Sequence, residues 1–422
     1  MPSRRVAVSG VLVALLGVAA CTGSEGAAPV TSGAAAPTTT ERAPDGVLNI
    51  GAILPSGGVA PDLGVSMRAA LTVAENEINA AGGVNGRPLS VTIVDEGETV
   101  ASATGAVKSL VSADVDAIIG PTSSTNLLST LATSVQAGVL TCTPTGSALA
   151  LDDYPADGLL VRTVPSDSLQ ATAIAQIVSD TGENDAAIVF LDDAFGRPLA
   201  TAVRDAMSGS TTVVGAFAFA AGAVPLPETV QKVVDASPSV VVVIADAITG
   251  PAIISAIDGA SPQRPTFVTN DSLRRPDPNA SPFAPDLVEN RFAGAAPSAY
   301  PPNGPFSEDL STVDPNAGGL YAVNVYDCLT LIALGATATN SDDGRTIAAA
   351  LPDLTSTGTA CMSYTACSQA LQEQRNIDYD GPGQFLSIDG AGRTTSAQFE
   401  VFSFDPTTGR DIVKSRLVVG SP

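Results

Sequence analysis

The sequence predicts an α/β protein made of two doubly wound parallel-sheet lobes joined by a hinge. From Val47 onward, short apolar runs alternate with segments of helical periodicity, which is typical of βαβ units and a parallel sheet. The same alternation starts again after Pro165, so a second lobe of similar design follows the first. A chain of 422 residues is long enough for two domains with separate cores.

Four apolar runs predict the strands of the first lobe. "VLNIGAIL" (47–54) precedes a helix whose apolar residues recur every three or four positions until Gly82 and Gly83. The next three strands are predicted at "LSVTIV" (89–94), "DAIIG" (116–120) and "GVLTCTP" (138–144), each joined to the next by a helical segment. Right-handed crossovers then place helices on both faces of this sheet.

The second lobe repeats this pattern, and the chain then returns to the first lobe. Its strands are predicted at "AAIVFL" (186–191), "TVVGAFAF" (212–219), "SVVVVIA" (239–245) and "PTFVT" (265–269). A Pro-rich connection, a long apolar helix (318–338) and a final alternating strand (398–405) follow. We therefore predict a first lobe from 46–164 and 291–397, and a second lobe from 165–290 and 398–422.

Composition limits the possible functions. The chain is 45% hydrophobic and carries a net charge of −23, which indicates a globular protein that repels nucleic acid. It contains no histidine, which excludes every mechanism with an imidazole base and removes the commonest zinc ligand. No nucleotide-binding or nucleophile motif is present. We predict no enzymatic activity, no cofactor and no metal site; a hydrolase using Asp192, Asp193, Asp246 and Asp271 is the enzymatic alternative.

The N-terminus predicts export and anchoring. Arg4 and Arg5 precede a 15-residue apolar run, which is short for a membrane span and typical of a signal peptide over 1–20. The junction "GVAAC" resembles a bacterial lipobox, so Cys21 is the predicted lipidation site on the outer face of the cell membrane; cleavage as an ordinary signal peptide is the alternative. Residues 21–45 are mostly Thr, Ser, Gly, Ala and Pro and predict a disordered tether.

Hydroxyl side chains follow two predicted strands of the first lobe. Thr122 to Thr125, including Ser123 and Ser124, come after the third strand, while Thr143, Thr145 and Ser147 come after the fourth. In open parallel sheets, ligands bind at the carboxyl ends of strands, where helix N-termini favour anions. Helix capping is the alternative, although it needs one hydroxyl rather than four. Two such clusters in one lobe predict a ligand site suited to a carboxylate.

The second lobe offers complementary side chains at its strand ends. Phe195 in "FLDDAFGRP" suits an apolar ligand face, with a core position as the alternative. Asp246 in "VVIADAITG" and Asp271 in "FVTNDSL" suit an ammonium group, with helix capping as the alternative for each. The predicted ligand cleft lies between the two lobes.

With these segments in place, the sequence resembles the leucine/isoleucine/valine-binding protein family, the solute receptors of ABC importers with a type I periplasmic-binding fold. The stretches "IGAILPSGG", "AENEINAAGGVNGRPL", "DAIIGPTSS", "TPTGSAL" and "LDDAFGRPLA" follow the order and spacing of that family from about Val47 onward. The resemblance implies a receptor that closes about its hinge on an amino-acid-like or small amide-like solute and serves an ABC permease, as a lipid-anchored monomer. A sensor of the same fold that signals to another partner is the alternative.

The resemblance also implies roles for individual residues. Its carboxylate-binding positions match Ser124, with Ser123 beside it, and Ser147, with Thr145 beside it. The aromatic position of the family matches Phe195, its ammonium-binding acid matches Asp271, and the loop with Ser56 lines the cleft. Asp246 stands where some members carry an aromatic, which indicates a more polar ligand or one with a second cationic end.

Four cysteines remain once Cys21 is set aside, an even number in an exported chain. Cys361 and Cys367 in "CMSYTAC" are predicted to form a disulfide that closes a small loop. Cys142 and Cys328 either form a second disulfide or are buried free thiols.

Overall fold

Two helix-covered sheets form the framework of the chain. The structure, a computed structural model, describes residues 44–57, 61–220, 227–274, 283–301, 303–319, 321–383 and 386–420, which belong to one compact unit. The predicted signal peptide, Cys21 and all but the last two residues of the predicted tether lie outside these ranges.

The secondary structure follows the predicted alternation. The strands are β1 (Asn49–Leu54), β2 (Ser90–Asp95), β3 (Ala117–Ile119), β4 (Leu140–Thr143), β5 (Leu160–Arg162), β6 (Asp185–Leu191), β7 (Thr212–Phe219), β8 (Val240–Ile244), β9 (Thr266–Thr269), β10 (Phe292–Pro297), β11 (Thr359–Cys361), β12 (Ile377–Tyr379), β13 (Ser396–Phe404) and β14 (Asp411–Gly420). The helices are α1 (Pro61–Ala80), α2 (Val100–Ser112), α3 (Ser124–Gln136), α4 (Asp167–Asp180), α5 (Gly196–Ala206), α6 (Pro227–Ala236), α7 (Thr249–Ala260), α8 (Pro285–Asn290), α9 (Pro305–Val313), α10 (Ala322–Thr339), α11 (Gly344–Leu354) and α12 (Tyr364–Gln372).

The first lobe is built on a five-stranded sheet with the order β2-β1-β3-β4-β5, in which every pair is parallel. The chain runs from β1 to β2 on one side and then back to β3 on the other, which is the doubly wound arrangement. The predicted positions of β1 to β4 are confirmed. The fifth strand was not predicted, because its three residues are too few to show a pattern.

The second lobe is built on a seven-stranded sheet with the order β14-β13-β10-β9-β8-β6-β7. The strands from β6 to β10 are parallel, whereas β13 pairs antiparallel with both β10 and β14. This sheet is therefore mixed rather than purely parallel as predicted, and a tight turn at Asp405, not a crossover helix, joins β13 to β14. The predicted boundary at residue 291 is wrong, because β10 pairs with β9 and β13 of this sheet, and the return to the first lobe comes after Pro297.

The core of the first lobe surrounds α10. This helix is long and apolar enough to cross a membrane, but 83% of its length is buried inside the protein, as in the core helix of a globular domain. A disulfide joins Cys328 of α10 to Cys142 of β4, and a second joins Cys361 to Cys367. The predicted small-loop disulfide is confirmed, and the choice left open for Cys142 and Cys328 is decided in favour of a bond.

Three segments of chain pass between the lobes, after β5, after β10 and before β13. They bond to one another and to α10. Thr163 Oγ1 donates to the carbonyl of Asn324 at 2.8 Å, and the Asn324 amide donates back to the carbonyl of Thr163 at 2.7 Å. The Ser298 N–H donates to the carbonyl of Gln398 at 2.9 Å. These contacts hold the crossings together as one hinge.

The start of the described chain is fastened to the first lobe. Asp342, just before α11, is buried, and its Oδ2 accepts hydrogen bonds from the backbone N–H groups of Asp45 at 2.9 Å and Gly46 at 2.6 Å. The chain therefore enters the fold at the corner between α10 and α11.

Candidate functional site

A carboxylate of the chain itself occupies the hydroxyl cluster after β3. Glu96, which follows β2, is 2% exposed and accepts hydrogen bonds from the backbone N–H groups of Thr122 at 2.9 Å and Ser123 at 3.0 Å. It also accepts one from the Asn126 amide at 2.8 Å and one from the Thr122 hydroxyl. The predicted preference of this helix N-terminus for an anion is thus met largely by Glu96.

The remaining hydroxyls of the first lobe fall into separate roles. Ser123 is the N-cap of α3, and its Oγ accepts the N–H of Asn126 at 3.4 Å, as the capping alternative requires. Ser124 is the first residue of that helix and is partly exposed. Thr145 Oγ1 donates to the carbonyl of Thr122 at 2.7 Å, which joins the loops after β3 and β4.

Ser147 contacts an acid that the sequence analysis did not select. The backbone N–H of Asp167, the first residue of α4, donates to the carbonyl of Ser147 at 2.9 Å. Asp167 is 1% exposed, and neither of its carboxylate oxygens has a hydrogen-bond partner of normal geometry among the described residues. Burial and the Asp271 carboxylate raise the pKa of Asp167, the nearby Ser147 hydroxyl lowers it, and the net pKa is about 7.

Asp271 lies at the meeting point of the two lobes. It starts a short 3-10 turn directly after β9, is 5% exposed, and accepts a hydrogen bond from the phenol of Tyr321. Tyr321 precedes α10 of the first lobe in a left-handed conformation with φ of 68°, which is uncommon for a residue with a side chain. Burial, and then the Asp271 carboxylate, raise the pKa of Tyr321 well above its usual value, so it stays a donor.

Ser147, Asp167, Asp271 and Tyr321 therefore form one polar group, which we call the interlobe cluster. Ser147 and Tyr321 belong to the first lobe, and Asp167 and Asp271 to the second. Parallel strand ends on the two sheets, together with the N-terminus of α10, bring them to one place.

Asp246 behaves as the capping alternative predicts. Its Oδ1 accepts the backbone N–H groups of Ile248 at 2.8 Å and Thr249 at 2.7 Å, and its Oδ2 accepts the Thr249 hydroxyl at 2.6 Å. These bonds hold the first turn of α7. The carboxylate is committed to its own helix, whereas Asp271 reaches the other lobe.

Two further predicted residues follow strands β6 and β1. Phe195 precedes α5, packs against the core of the second lobe, as the core alternative requires, and is partly exposed. Ser56, after β1, is exposed, and its N–H donates to Asp95 Oδ1 at 2.9 Å. A hydrogen bond from the Ser56 hydroxyl, together with this backbone bond, lowers the pKa of Asp95.

One more buried charge adjoins the interlobe cluster. Arg162, at the end of β5, is 1% exposed, and its Nη2 pairs with Asp152 Oδ1 at 2.6 Å. Its Nη1 has no hydrogen-bond partner within the described ranges. A charged residue in the otherwise apolar "LLVRTV" was the available signal for it. Over the same ranges, no group of three or more acidic or cysteine side chains is arranged to hold a metal ion.

Comparison with known proteins agrees with this architecture. Residues 47–399 match the family of periplasmic binding proteins. The fold resembles the branched-chain amino acid transporter substrate-binding protein LivJ from Streptococcus pneumoniae, solved with isoleucine, at 18% identity and a TM-score of 0.70, covering 89% of this chain and 100% of that one. It also resembles an ABC transporter solute-binding protein from R. palustris, solved with benzoate, at 15% identity and a TM-score of 0.69, covering 89% and 97%.

A shorter match is with glutamate receptor 3.1 of Oryza sativa subsp. japonica, at 35% identity over 97 residues, or 22% of this chain. The match spans only 10% of that receptor's length. The match to the periplasmic binding proteins covers most of the chain, and members of that family are non-enzymatic, as predicted. The chain therefore belongs to the periplasmic binding protein family, with a type I fold and the function of a solute-binding receptor.

Proposed function

We propose that this protein is the lipid-anchored receptor of an ABC importer and closes on an amino-acid-like or small amide-like solute. The observation that supports this most is the interlobe cluster, because a ligand can close a hinge only by contacting both lobes. The cluster joins Ser147 and Tyr321 of one lobe to Asp167 and Asp271 of the other.

The two lobes offer groups for the two ends of an amino acid. On the first lobe, the hydroxyls of Ser124, in the first turn of α3, and Ser147, in the loop after β4, can donate to a carboxylate. On the second, Asp271 offers a carboxylate for an ammonium group and Phe195 offers an apolar face. Related structures were solved with isoleucine and with benzoate, so the fold accepts small carboxylates of different kinds.

The test is direct identification of the ligand. Mass spectrometry of the purified protein under native conditions, followed by calorimetry with the twenty L-amino acids and their amides, should reveal at least one bound solute. Because Glu96 already occupies part of the anion site, Ser124→Ala should weaken binding by only about 1 kcal/mol, on the scale of one hydrogen bond. Failure of every amino acid and amide to bind would contradict the proposal.

The anchor is tested separately. Cys21→Ala should leave the protein as an unprocessed precursor or release it into the medium, because the lipid would have no attachment point. Membrane retention of a correctly processed Cys21→Ala protein would contradict the lipoprotein assignment. We propose a monomer that hands its solute to a membrane permease, and co-purification with a permease would test that partner.

A sensor is the second candidate. The 97-residue match with a glutamate receptor favours it, since that protein is named as a receptor rather than a transporter. Loss of solute uptake in cells that lack this protein supports the importer, whereas normal uptake supports the sensor.

A further inference from the structure

We propose that Asp167 is a second acidic contact for the ligand, so that the receptor requires a primary ammonium group and rejects carboxylates that lack one. This inference rests on the proposed function and adds the chemical class of the ligand. It starts from a carboxylate that is 1% exposed and has neither oxygen in a hydrogen bond of normal geometry within the described chain, although the Ser147 hydroxyl lies near it. Such a group is costly to bury unless something pairs with it.

A structural role does not account for Asp167. An acid in the first turn of a helix often caps it, but the cap of α4 is Ser166, whose Oγ accepts the N–H of Ser168 at 3.2 Å. The nearby cation, Arg162, directs its Nη2 to Asp152 instead. Asp167 therefore neither caps its helix nor forms a hydrogen-bonded ion pair with Arg162.

The neighbours of Asp167 indicate what would pair with it. Asp271 is close enough to raise its pKa, and the Ser147 hydroxyl approaches it from the other lobe. Tyr321 supplies a donor to Asp271 alone. A primary ammonium carries three donors, which two carboxylates and a hydroxyl oxygen can accept, whereas a quaternary ammonium carries none. One cation would also relieve the repulsion between the two acids.

The charges around Asp167 predict that binding is coupled to a proton. The groups that act on it are Asp271 and Asp152, which raise its pKa, and Arg162, which lowers it; Tyr321 stays neutral. With a pKa of about 7, Asp167 is largely protonated in mildly acidic solution. An ammonium ligand favours the ionised form, so binding below pH 7 releases a proton and the affinity falls as the pH falls, approaching about tenfold per pH unit.

The experiment is calorimetry with defined probes. The best-binding L-amino acid of the twenty is compared with the acid that lacks its α-amino group and with benzoate, on the wild type, Asp167→Asn and the control Asp180→Asn. Asp180 is an exposed acid at the other end of the same helix. Each titration is run at about pH 8 and at about pH 5.5, on either side of the Asp167 pKa.

In the wild type, we expect the deaminated acid and benzoate to bind at least about 100-fold more weakly than the amino acid. Asp167→Asn should weaken amino acid binding at least about tenfold at pH 8 and abolish its pH dependence, while Asp180→Asn matches the wild type. The Tm of ligand-free Asp167→Asn should not fall, because the variant removes a buried unpaired charge, and this checks that it folds.

Three results separate the possible failures. An Asp167→Asn protein with wild-type affinity and pH dependence overturns this inference and leaves the proposed function standing. A wild type that binds no amino acid and no amide overturns both this inference and the proposed function. Tighter binding of benzoate than of any amino acid overturns the ammonium requirement alone.

Discussion

Tyr321 of the first lobe donates a hydrogen bond to Asp271 of the second. The two residues are held by different sheets, and Tyr321 adopts a left-handed backbone conformation, with φ of 68°, at the start of α10. Since the bond exists only while the lobes are close, it links closure of the hinge to the carboxylate that we assign to the ligand.

Tyr321→Phe should weaken ligand binding about tenfold, or about 1.4 kcal/mol, because the closed form loses a hydrogen bond to a charged acceptor. Calorimetry measures the affinity, and small-angle X-ray scattering should show a more open ligand-free protein. Tyr364→Phe is the matched control, because Tyr364 donates to the carbonyl of Gly83 at 3.0 Å within one lobe. Equal affinity in the two variants would argue against a closing role for Tyr321.

Asp271 and Asp246 should respond differently to loss of their charge. Asp271→Asn keeps an acceptor for Tyr321 but should weaken ligand binding at least about 100-fold, or about 2.7 kcal/mol, since the ammonium loses its counter-charge. Asp246→Ala should leave affinity unchanged and lower the free energy of unfolding by about 1 kcal/mol, because it caps α7. Calorimetry measures the ligand affinity, and urea denaturation measures the free energy of unfolding. Reduced affinity in Asp246→Ala would instead support the prediction that Asp246 contacts the ligand.

Glu96→Gln should destabilise the first lobe by about 3 kcal/mol. Its buried carboxylate accepts four hydrogen bonds, and an amide would turn one acceptor into a donor that faces other donors. Glu98→Gln is the control, because Glu98 is exposed two residues away and should change stability by less than about 0.5 kcal/mol. Denaturation in urea gives both values, and equal stability of the two variants would contradict the buried network.

The two disulfides should contribute unequally to stability. The pair Cys142 and Cys328 closes a loop with a sequence separation of 186, whereas Cys361 and Cys367 are separated by 6. Chain entropy then assigns about 5 kcal/mol to the first bond and about 2 kcal/mol to the second. Double Cys→Ala variants of each pair, compared by thermal denaturation, should show the larger fall in Tm for Cys142 and Cys328. The reverse order would show that loop entropy does not dominate here.

Asp327 should make stability depend on pH. This residue of α10 is 4% exposed, and burial raises its pKa to about 8 despite the hydrogen bond from Tyr379 at 2.7 Å. Because the pKa of Asp327 is higher in the folded protein than in the unfolded one, its contribution to the free energy of unfolding is complete at low pH. That contribution is lost as the pH rises to about 8. Asp327→Asn should therefore gain stability relative to the wild type between about pH 5 and about pH 8, with no further gain above that. Urea denaturation across this pH range measures the free energy of unfolding of both proteins. A difference between Asp327→Asn and the wild type that stays constant with pH would contradict the raised pKa.

The strands and the class of fold were predictable because their signals are local. The apolar runs of β1 to β4 and β6 to β9 stand out in the sequence, as does the buried helix α10. β10 was not predicted, because "FAGAAP" lies in a Gly- and Pro-rich stretch and becomes a strand only by pairing with β9 and β13. Short strands that depend on distant partners carry little pattern of their own.

The roles of residues at the candidate site depend on partners that lie far away in the sequence. Asp246 and Asp271 occupy similar sequence contexts, each just after a strand. Their roles differ because Asp271 accepts a hydrogen bond from Tyr321, which lies 50 residues further along the chain. Glu96 lies in the acidic run "VDEGE", which suggests a solvated loop, while its partners lie 26 to 30 residues away. Asp167 follows Ser166 at a helix start and so looked like an ordinary acid in the first turn.

The attachment of Asp45 and Gly46 to Asp342 decides which lobe carries the N-terminal end of the chain. That end enters the fold at the corner of α10 and α11, in the first lobe. In the membrane-anchored receptor that we propose, the first lobe would be the half held by the anchor, and a rotation about the hinge would move the second lobe relative to it. A fluorophore on the second lobe, tracked against the membrane plane, would then report each opening and closing, whereas one on the first lobe would move less.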